Sequence, residues 1–346
     1  MAKTILLTGA TGSLGASTLA RLLSEANFAV IAVLRSSAKS EPFLRAKYAS
    51  HVSSGRLSFV EIPDMTAPHA FDEPAARADA ILHIATPLAY DDLFDKLIKP
   101  SWTIVHNVLA AAEQSGRVKR VVVTGSMVAT MRLPDDLFSG RTISEADWNS
   151  ITADEAGANP GTAYQYSKVY AEQEAWKFMD GQPPRSFDLV FLLAPSITGR
   201  SLQGGFKPEK GHLGGQPGLY TALFDVEKPG FLFPIFADVD DVARVHVEAL
   251  SPHIPGNERY LFHAPELMAA NPIAAAVREA FPQLRDRVPA PDEGAGSGVP
   301  PNLIKTDQSK FERAFGKQNW KSARLSALET VQDIVDYELT SEKPAA

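Results

Sequence analysis

Cysteine is absent from the 346 residues, which removes disulfides, thiolate nucleophiles and Cys-ligated zinc from consideration. No apolar run approaches the ~20 residues that a membrane span requires. An excess of positive charge is missing too. Lysine and arginine number 34 against 41 acids, and the net charge of -7 argues against nucleic acid as the main partner. Internal repeats and low-complexity tracts are lacking, and no metal site is expected. Met1-Ala2-Lys3 runs directly into the first apolar stretch, so no leader peptide is expected and the cytoplasm is the default location. Hydrophobic residues make up 45% and charged ones 22%, enough to bury the core of one large domain with a lobe, or of two domains.

Lys3-Thr-Ile-Leu-Leu-Thr8 is a short apolar, β-branched run, and Gly9-Ala-Thr11-Gly12-Ser13-Leu14-Gly15 follows without a break. The next stretch places Leu19, Leu22 and Leu23 on one helical face. Strand, glycine turn and helix in that order are the context a dinucleotide-binding turn requires. Gly9 suits the tight turn, and Gly12 lets the backbone approach a pyrophosphate. Gly15 lets the helix pack close to the strand, and the helix N-terminus offers its N–H groups to an anion. The plainer alternative is a glycine-rich turn in some other α/β protein. Phe28 to Leu34 predicts a second strand, and Arg35 follows it, twenty residues past Gly15. An acid at that distance would take the ribose 2′-hydroxyl of NAD, whereas an arginine suits the 2′-phosphate of NADP. With no acid before Glu41, the phosphate role is favoured over a merely solvated side chain.

Further strands are predicted at 57–62, 80–85, 120–124 and 187–193. A helix is predicted over 93–114, interrupted by Pro100, and a strong one over 163–176. His83 reads as a packed histidine inside a buried strand. Residues 134–161 read as a polar loop with at most a short helix. From 201 to 236 the composition turns to glycine and proline with Phe206, His212, Tyr220 and Phe224 among them, which predicts an irregular, aromatic-lined lobe. A helix over 239–250, a last strand at 259–262, and a helix capped by Asn271 come next. A final helix over 322–340 carries Leu325, Leu328, Val331, Ile334 and Val335 on one side. Strands alternating with helices predict an α/β fold with a doubly wound parallel sheet, a Rossmann fold. Residues 1–195 with about 237–265 form its nucleotide-binding domain. About 196–236 and 266–346 form a smaller, mostly irregular or helical substrate lobe.

Tyr164 and Lys168 lie four residues apart, on one face of the predicted helix. A free tyrosine, with pKa ~10, exchanges protons poorly at neutral pH, and a neighbouring ammonium is expected to lower it. Alone the pair is weak, because tyrosine and lysine take this spacing by chance on many helices. Tyr166 points to the far side. Ser126 follows the fifth strand, at the edge where open α/β sheets bind ligands, and its hydroxyl can hold a carbonyl oxygen against Tyr164. A polar turn after Gly125 is the alternative.

The glycine spacing of three and three resembles the T-G-x-x-G-x-x-G of the short-chain dehydrogenase/reductase superfamily. Ser126 and Tyr164-x-x-x-Lys168 come in that superfamily's order. Pro195-Ser196-Ile-Thr-Gly199-Arg200 and Val239-Asp-Asp-Val-Ala243 are similar to segments of its extended branch, although Arg200 replaces a proline. The runs 142–149 and 171–176 look like the dihydroflavonol-reductase-type carbonyl reductases, particularly fungal ones. The resemblance implies Tyr164 as proton donor, Ser126 as carbonyl polariser, and Lys168 as holder of the nicotinamide ribose. It implies Pro195 and Ser196 beside the nicotinamide, Asp64 and Met65 at the adenine, and Thr8, Ala85, Thr86, Pro87 and Thr124 along the cofactor, NADP(H). Asp64 is equally plausible as a turn residue. Asn107 stays unassigned. The expected activity is reduction of an aldehyde or ketone on a medium-sized, apolar small molecule by a monomer or homodimer. Phe206, Tyr220 and Phe224 are expected to wall the substrate over a floor of Met127 and Val128; the alternative is that these three aromatics form a small core packed on the C-terminal helices. An epimerase or 3β-hydroxysteroid-type dehydrogenase is the alternative, and a non-catalytic NADP-binding regulator a remoter one.

Overall fold

The computed structural model describes residues 2–208, 215–292, 294, 296–299 and 301–341; His212 lies outside them. Along the described chain the strands are β1 Lys3–Thr8, β2 Phe28–Leu34, β3 Leu57–Glu61, β4 Ala80–His83, β5 Arg120–Ser126, β6 Thr142–Ile143, β7 Asp188–Ala194, β8 Ser196–Thr198, β9 Phe236–Asp238, β10 Glu258–Leu261 and β11 Lys305–Thr306. Seven of them make one sheet in the order β3-β2-β1-β4-β5-β7-β10, every pair parallel. The strands are nearly all apolar because both faces are covered. Ile5, Leu7, Val30, Ala32 and Val122 face one core, with Leu19 and Leu22 of the helix Ser13–Ser24 and Val242 of the helix Val239–Glu248. Leu6, Ile31, Ile81, Val121 and Val123 face the other, with Val105 and Val108 of the helix Lys99–Ser115 and Ala171 of the helix Pro160–Met179. Each such valine, leucine or isoleucine side chain contributes about 1.5–3 kcal/mol on burial, so the alternation along β1 fixes which helices lie on which side. Chain order reverses between β1 and β4, and the carboxyl ends of these two strands open a crevice there.

The structure departs from the sequence reading in several places. The helix predicted over 93–114 begins with a π-helical turn, Phe94–Ile98, before Lys99–Ser115 becomes α-helical. Pro100 sits in the first turn of the α-helix, where a missing N–H costs nothing, so it starts that helix instead of interrupting one. β5 continues two residues beyond Thr124, making Ser126 its last residue. The glycine-rich lobe contains a helix, Gly215–Leu223. This helix packs through Leu219 and Leu223 into a separate core with Ile273, Val277, Val331 and Ile334. Asn271 is not the cap of its helix, which is Ala270–Ala280 capped by Ala269. Its amide donates instead to the carbonyls of Asp292 (2.9 Å) and Gly296 (2.7 Å), holding the loop beyond. Leu325 is 48% exposed, because Ala323, Ala327, Val331 and Ile334 take the inward line of Ala323–Ser341. No helix among the described residues is long and apolar enough to cross a membrane.

Candidate active site

The turn after β1 is shaped by close backbone approach. Gly9 adopts φ +74°, and a Cβ there would lie 2.8 Å from the amide nitrogen of Ala85. A Cβ on Gly15 would lie 1.8 Å from the Gly9 carbonyl oxygen, so no side chain fits. The first helical bond runs from Ala16 N–H to Gly12 O. The N–H groups of Ser13, Leu14 and Gly15 therefore precede the ladder. No side chain caps this end, and no acid lies in the first turn. Backbone donors, a dipole end and the absence of a carboxylate together fit a pyrophosphate. Ser13 also ties the turn to the lobe, its hydroxyl donating to Gln216 Oε1 at 3.2 Å.

Thr8 holds the end of β1 to β4. Its hydroxyl accepts N–H bonds from Ile84 and Ala85, both at 3.1 Å. The hydroxyl proton then goes to Nδ1 of His83, 2.9 Å away, and leaves the ring proton on Nε2. Burial and the Lys168 charge depress His83 to about 3, so it is a neutral core histidine.

Arg35, expected at the ribose, is exposed at the tip of β2. Two features nearby are invisible in linear order. Lys39, one turn further on, lines a cavity of about 270 Å³ together with Thr11 and Phe43. Glu61 pairs with Leu34 in register, and its carboxylate accepts the Ser37 N–H at 2.9 Å. An acid therefore does stand beside Arg35, brought there by β3. On the adenine side, the exposed Asp64 carboxylate turns back on its own chain. It accepts from the Thr66 N–H (2.8 Å) and hydroxyl (2.6 Å), as a turn residue does. Asn107 acquires a place here: its amide donates to the carbonyls of Met65 and Ala67, each at 3.0 Å, pinning this loop from the helix Lys99–Ser115.

The candidate chemical centre, Ser126, Tyr164 and Lys168, lies at the carboxyl end of β5. Ser126 faces the Tyr164 side chain, and its hydroxyl also accepts the Val128 N–H at 3.4 Å. Lys168 donates to the Thr86 hydroxyl at 3.0 Å and the Thr124 carbonyl at 3.3 Å. Its ammonium lies 5.8 Å from the centre of the Tyr164 ring. Burial drives Lys168 down to about 8, with Glu172 pulling the other way. Burial also raises Tyr164, opposed by the Ser126 hydroxyl. The expected lowering of Tyr164 by Lys168 is not found, because the ammonium is turned toward Thr86 and Thr124. Asn149, which the sequence did not single out, holds the turn after Ser126. Buried, it donates to the carbonyls of Val128 (2.8 Å) and Met131 (2.7 Å).

The expected substrate wall needs correction. Phe224 is 0% exposed, inside the lobe core with Leu219 and Ile273. Tyr220 packs against it at 5.1 Å and donates its hydroxyl to Glu338 at 3.0 Å. Met127 is 1% exposed among Met131, Leu193 and Ile235, so it is core and not floor, and Val128 is likewise buried. Phe206 is half-buried. Pro195 connects β7 to β8, and the Ser196 hydroxyl accepts the Gly215 N–H at 2.7 Å, joining this edge to the lobe helix. Leu88, Tyr90 and Phe94 are instead exposed at 67%, 58% and 63%. They lie on the segment after Thr86-Pro87, whose Ala89 and Leu93 pack, as Tyr164 does, against the buried cluster of Leu97, Ile98, Ala156 and Ala163.

This arrangement of glycine turn and β5 centre matches a known family model, described as the NAD dependent epimerase/dehydratase family, over residues 5–201. The chain belongs to that family. Among curated proteins it is 28% identical to the ketoreductase azaE of Aspergillus niger, covering 91% of this chain and 93% of that one. It is 27% identical to aldehyde reductase 2 of Sporidiobolus salmonicolor, covering 96% and 95%. Among solved structures, Gre2 of Candida albicans in complex with NADPH superposes with a TM-score of 0.82 at 25% identity, covering 96% of this chain and 99% of that one. Family, sheet order and site place the chain among the extended short-chain dehydrogenases/reductases.

Proposed function

We propose that this protein is an NADPH-dependent reductase that converts an aldehyde or ketone on a medium-sized, apolar molecule to the alcohol. The observation that carries the reading is the gathering of Ser126 at the carboxyl end of β5 with Tyr164 and Lys168, the Lys168 ammonium 5.8 Å from the Tyr164 ring and one helical turn away. Relatives described as a ketoreductase and an aldehyde reductase support it, as does a similar structure described with NADPH. The residues fit the cofactor. Gly9 to Gly15 would receive the pyrophosphate, Arg35 and Lys39 the 2′-phosphate, and Lys168 the nicotinamide ribose, with Pro195 and Ser196 alongside. NADPH, when bound, supplies the hydride. Ser126 holds the substrate oxygen, and Tyr164 gives it a proton. The burial that raises Tyr164 keeps the phenol protonated, the form a donor needs. Thr86 and Thr124 fix where Lys168 points. Leu88, Tyr90 and Phe94, on the segment that follows Thr86-Pro87, offer exposed apolar surface for the substrate.

The test is loss of NADPH absorbance with a panel of aldehydes and ketones, in the wild type and in Tyr164→Phe. Removing a general acid should lower turnover ~10²–10⁴-fold while NADPH binding persists. Tyr166→Phe should lose far less, since its ring stacks on Tyr170 at 5.7 Å, away from Ser126. Equal activity of the two variants would place the donor elsewhere, and no turnover with any carbonyl would reject a reductase.

A further inference from the structure

Arg259 is an unusual residue for a sheet strand, buried at 8% exposure in β10. Its Nε and Nη2 grip both oxygens of Glu172, at 2.9 and 3.0 Å. Its Nη1 donates to the carbonyls of Glu145 (2.8 Å) and Asp147 (2.9 Å), and the guanidinium stacks over Trp148 at 3.7 Å. Glu172 is 1% exposed and also accepts from Trp176 Nε1 at 3.4 Å. A buried ion pair of this kind seldom adds net stability over apolar residues of the same volume, so its presence calls for another reason. Position supplies one. Tyr164, Lys168 and Glu172 recur every four residues along Pro160–Met179 and so share one face.

We infer that Glu172 and Arg259 form a positioning pair for Lys168: Glu172 keeps the ammonium charged, and Arg259 keeps Glu172 ionised while strapping 145–148 to the active-site helix. The inference rests on the reductase reading for its meaning in catalysis. The groups around Lys168 support it. From β4 and the segment after it come the neutral His83 and the Thr86 hydroxyl, and from β5 the Thr124 carbonyl. On its own helix stand the protonated Tyr164 and Glu172, and Glu172 is, among the described residues, the charge that raises Lys168. Glu172 itself is raised by burial, and Arg259 is the first influence to oppose that.

Competitive labelling of Lys168 with acetic anhydride across pH, read by mass spectrometry, follows the charge of this amine without reference to activity. Glu172→Gln keeps the side-chain shape and one acceptor for Arg259 but removes the charge. We expect its labelling midpoint to fall by at least about half a pH unit, roughly a threefold larger fraction of uncharged amine near neutrality. The alkaline limb of kcat should fall with it, and Glu172→Asp should restore both. If Glu172→Gln does not fold, the double variant Glu172→Met with Arg259→Met, which leaves no unpaired buried ion, should fold and show the same downward midpoint. An unchanged midpoint in either folded variant overturns the pair's role. Absence of carbonyl reduction in a wild type with the expected labelling shift would instead overturn the reductase reading alone.

Discussion

A charged contact to a 2′-phosphate is worth ~1.5–3 kcal/mol, or roughly ten- to a hundredfold in cofactor preference. Arg35→Asp and Lys39→Ala should each shift kcat/KM toward NADH by such a factor. Equal use of both cofactors by the wild type would sink the assignment. Glu61 makes a sharper prediction, because its carboxylate holds the Ser37 N–H that a phosphate at Arg35 would seek. Glu61→Gln should therefore tighten NADPH and leave NADH nearly unchanged, as titration of cofactor fluorescence can read. The place of Arg35 at the tip of β2 was legible from its distance to Gly15, since a strand and a helix of ordinary length fix that distance. Glu61 was not, because it stands 26 residues further along and only the β2–β3 pairing delivers it.

Among the elements, the helix Gly215–Leu223 and the Phe224 that follows it are core, where composition suggested a substrate wall. Aromatic content marks a surface that is buried against something, but it does not say against what. Phe224 is buried against the closing helices, whereas Leu88 and Phe94 stand exposed beside the Tyr164 cluster. Truncating Phe224 to Ala should cost ~3–5 kcal/mol of stability and leave the ranking of substrates by size unchanged. Leu88→Ala and Phe94→Ala should cost little stability but raise KM for bulky carbonyls, because a wall touches ground state and transition state alike. Denaturation curves and kinetics over a size series measure both. If only Phe224→Ala alters size preference, the wall lies in the lobe after all.

At the scale of the whole molecule, buried neutral histidines give the fold an acid limit. His83 is depressed to about 3, and His246 to about 4 by burial, from 6.5. His246 donates from Nδ1 to the Val242 carbonyl (2.7 Å) and meets the Thr124 hydroxyl at Nε2 (2.8 Å). Below pH 6.5 the unfolded chain takes up protons on these rings that the folded chain refuses. Their contribution to stability is therefore complete above 6.5 and lost as pH falls toward 4 and 3. Each ring costs about 1.4 kcal/mol per pH unit within its window. Urea unfolding between pH 7 and 5 should show that slope, and His246→Gln should remove about one histidine's share. A flat profile would refute the account. The same two rings mark what could be read in advance. His83 was legible as a core residue because local apolar periodicity set its strand. Strand, glycine turn and the spacing of Tyr164 from Lys168 were legible for the same reason, since backbone geometry relates residues a turn apart. Contacts between distant segments were not. The joining of Thr124 to His246, of Arg259 to Glu172, and of Asn149 to the turn after Ser126 spans 122, 87 and 21 residues. Such pairs are decided by which faces the packed sheet and helices bring together, and no local pattern carries that information.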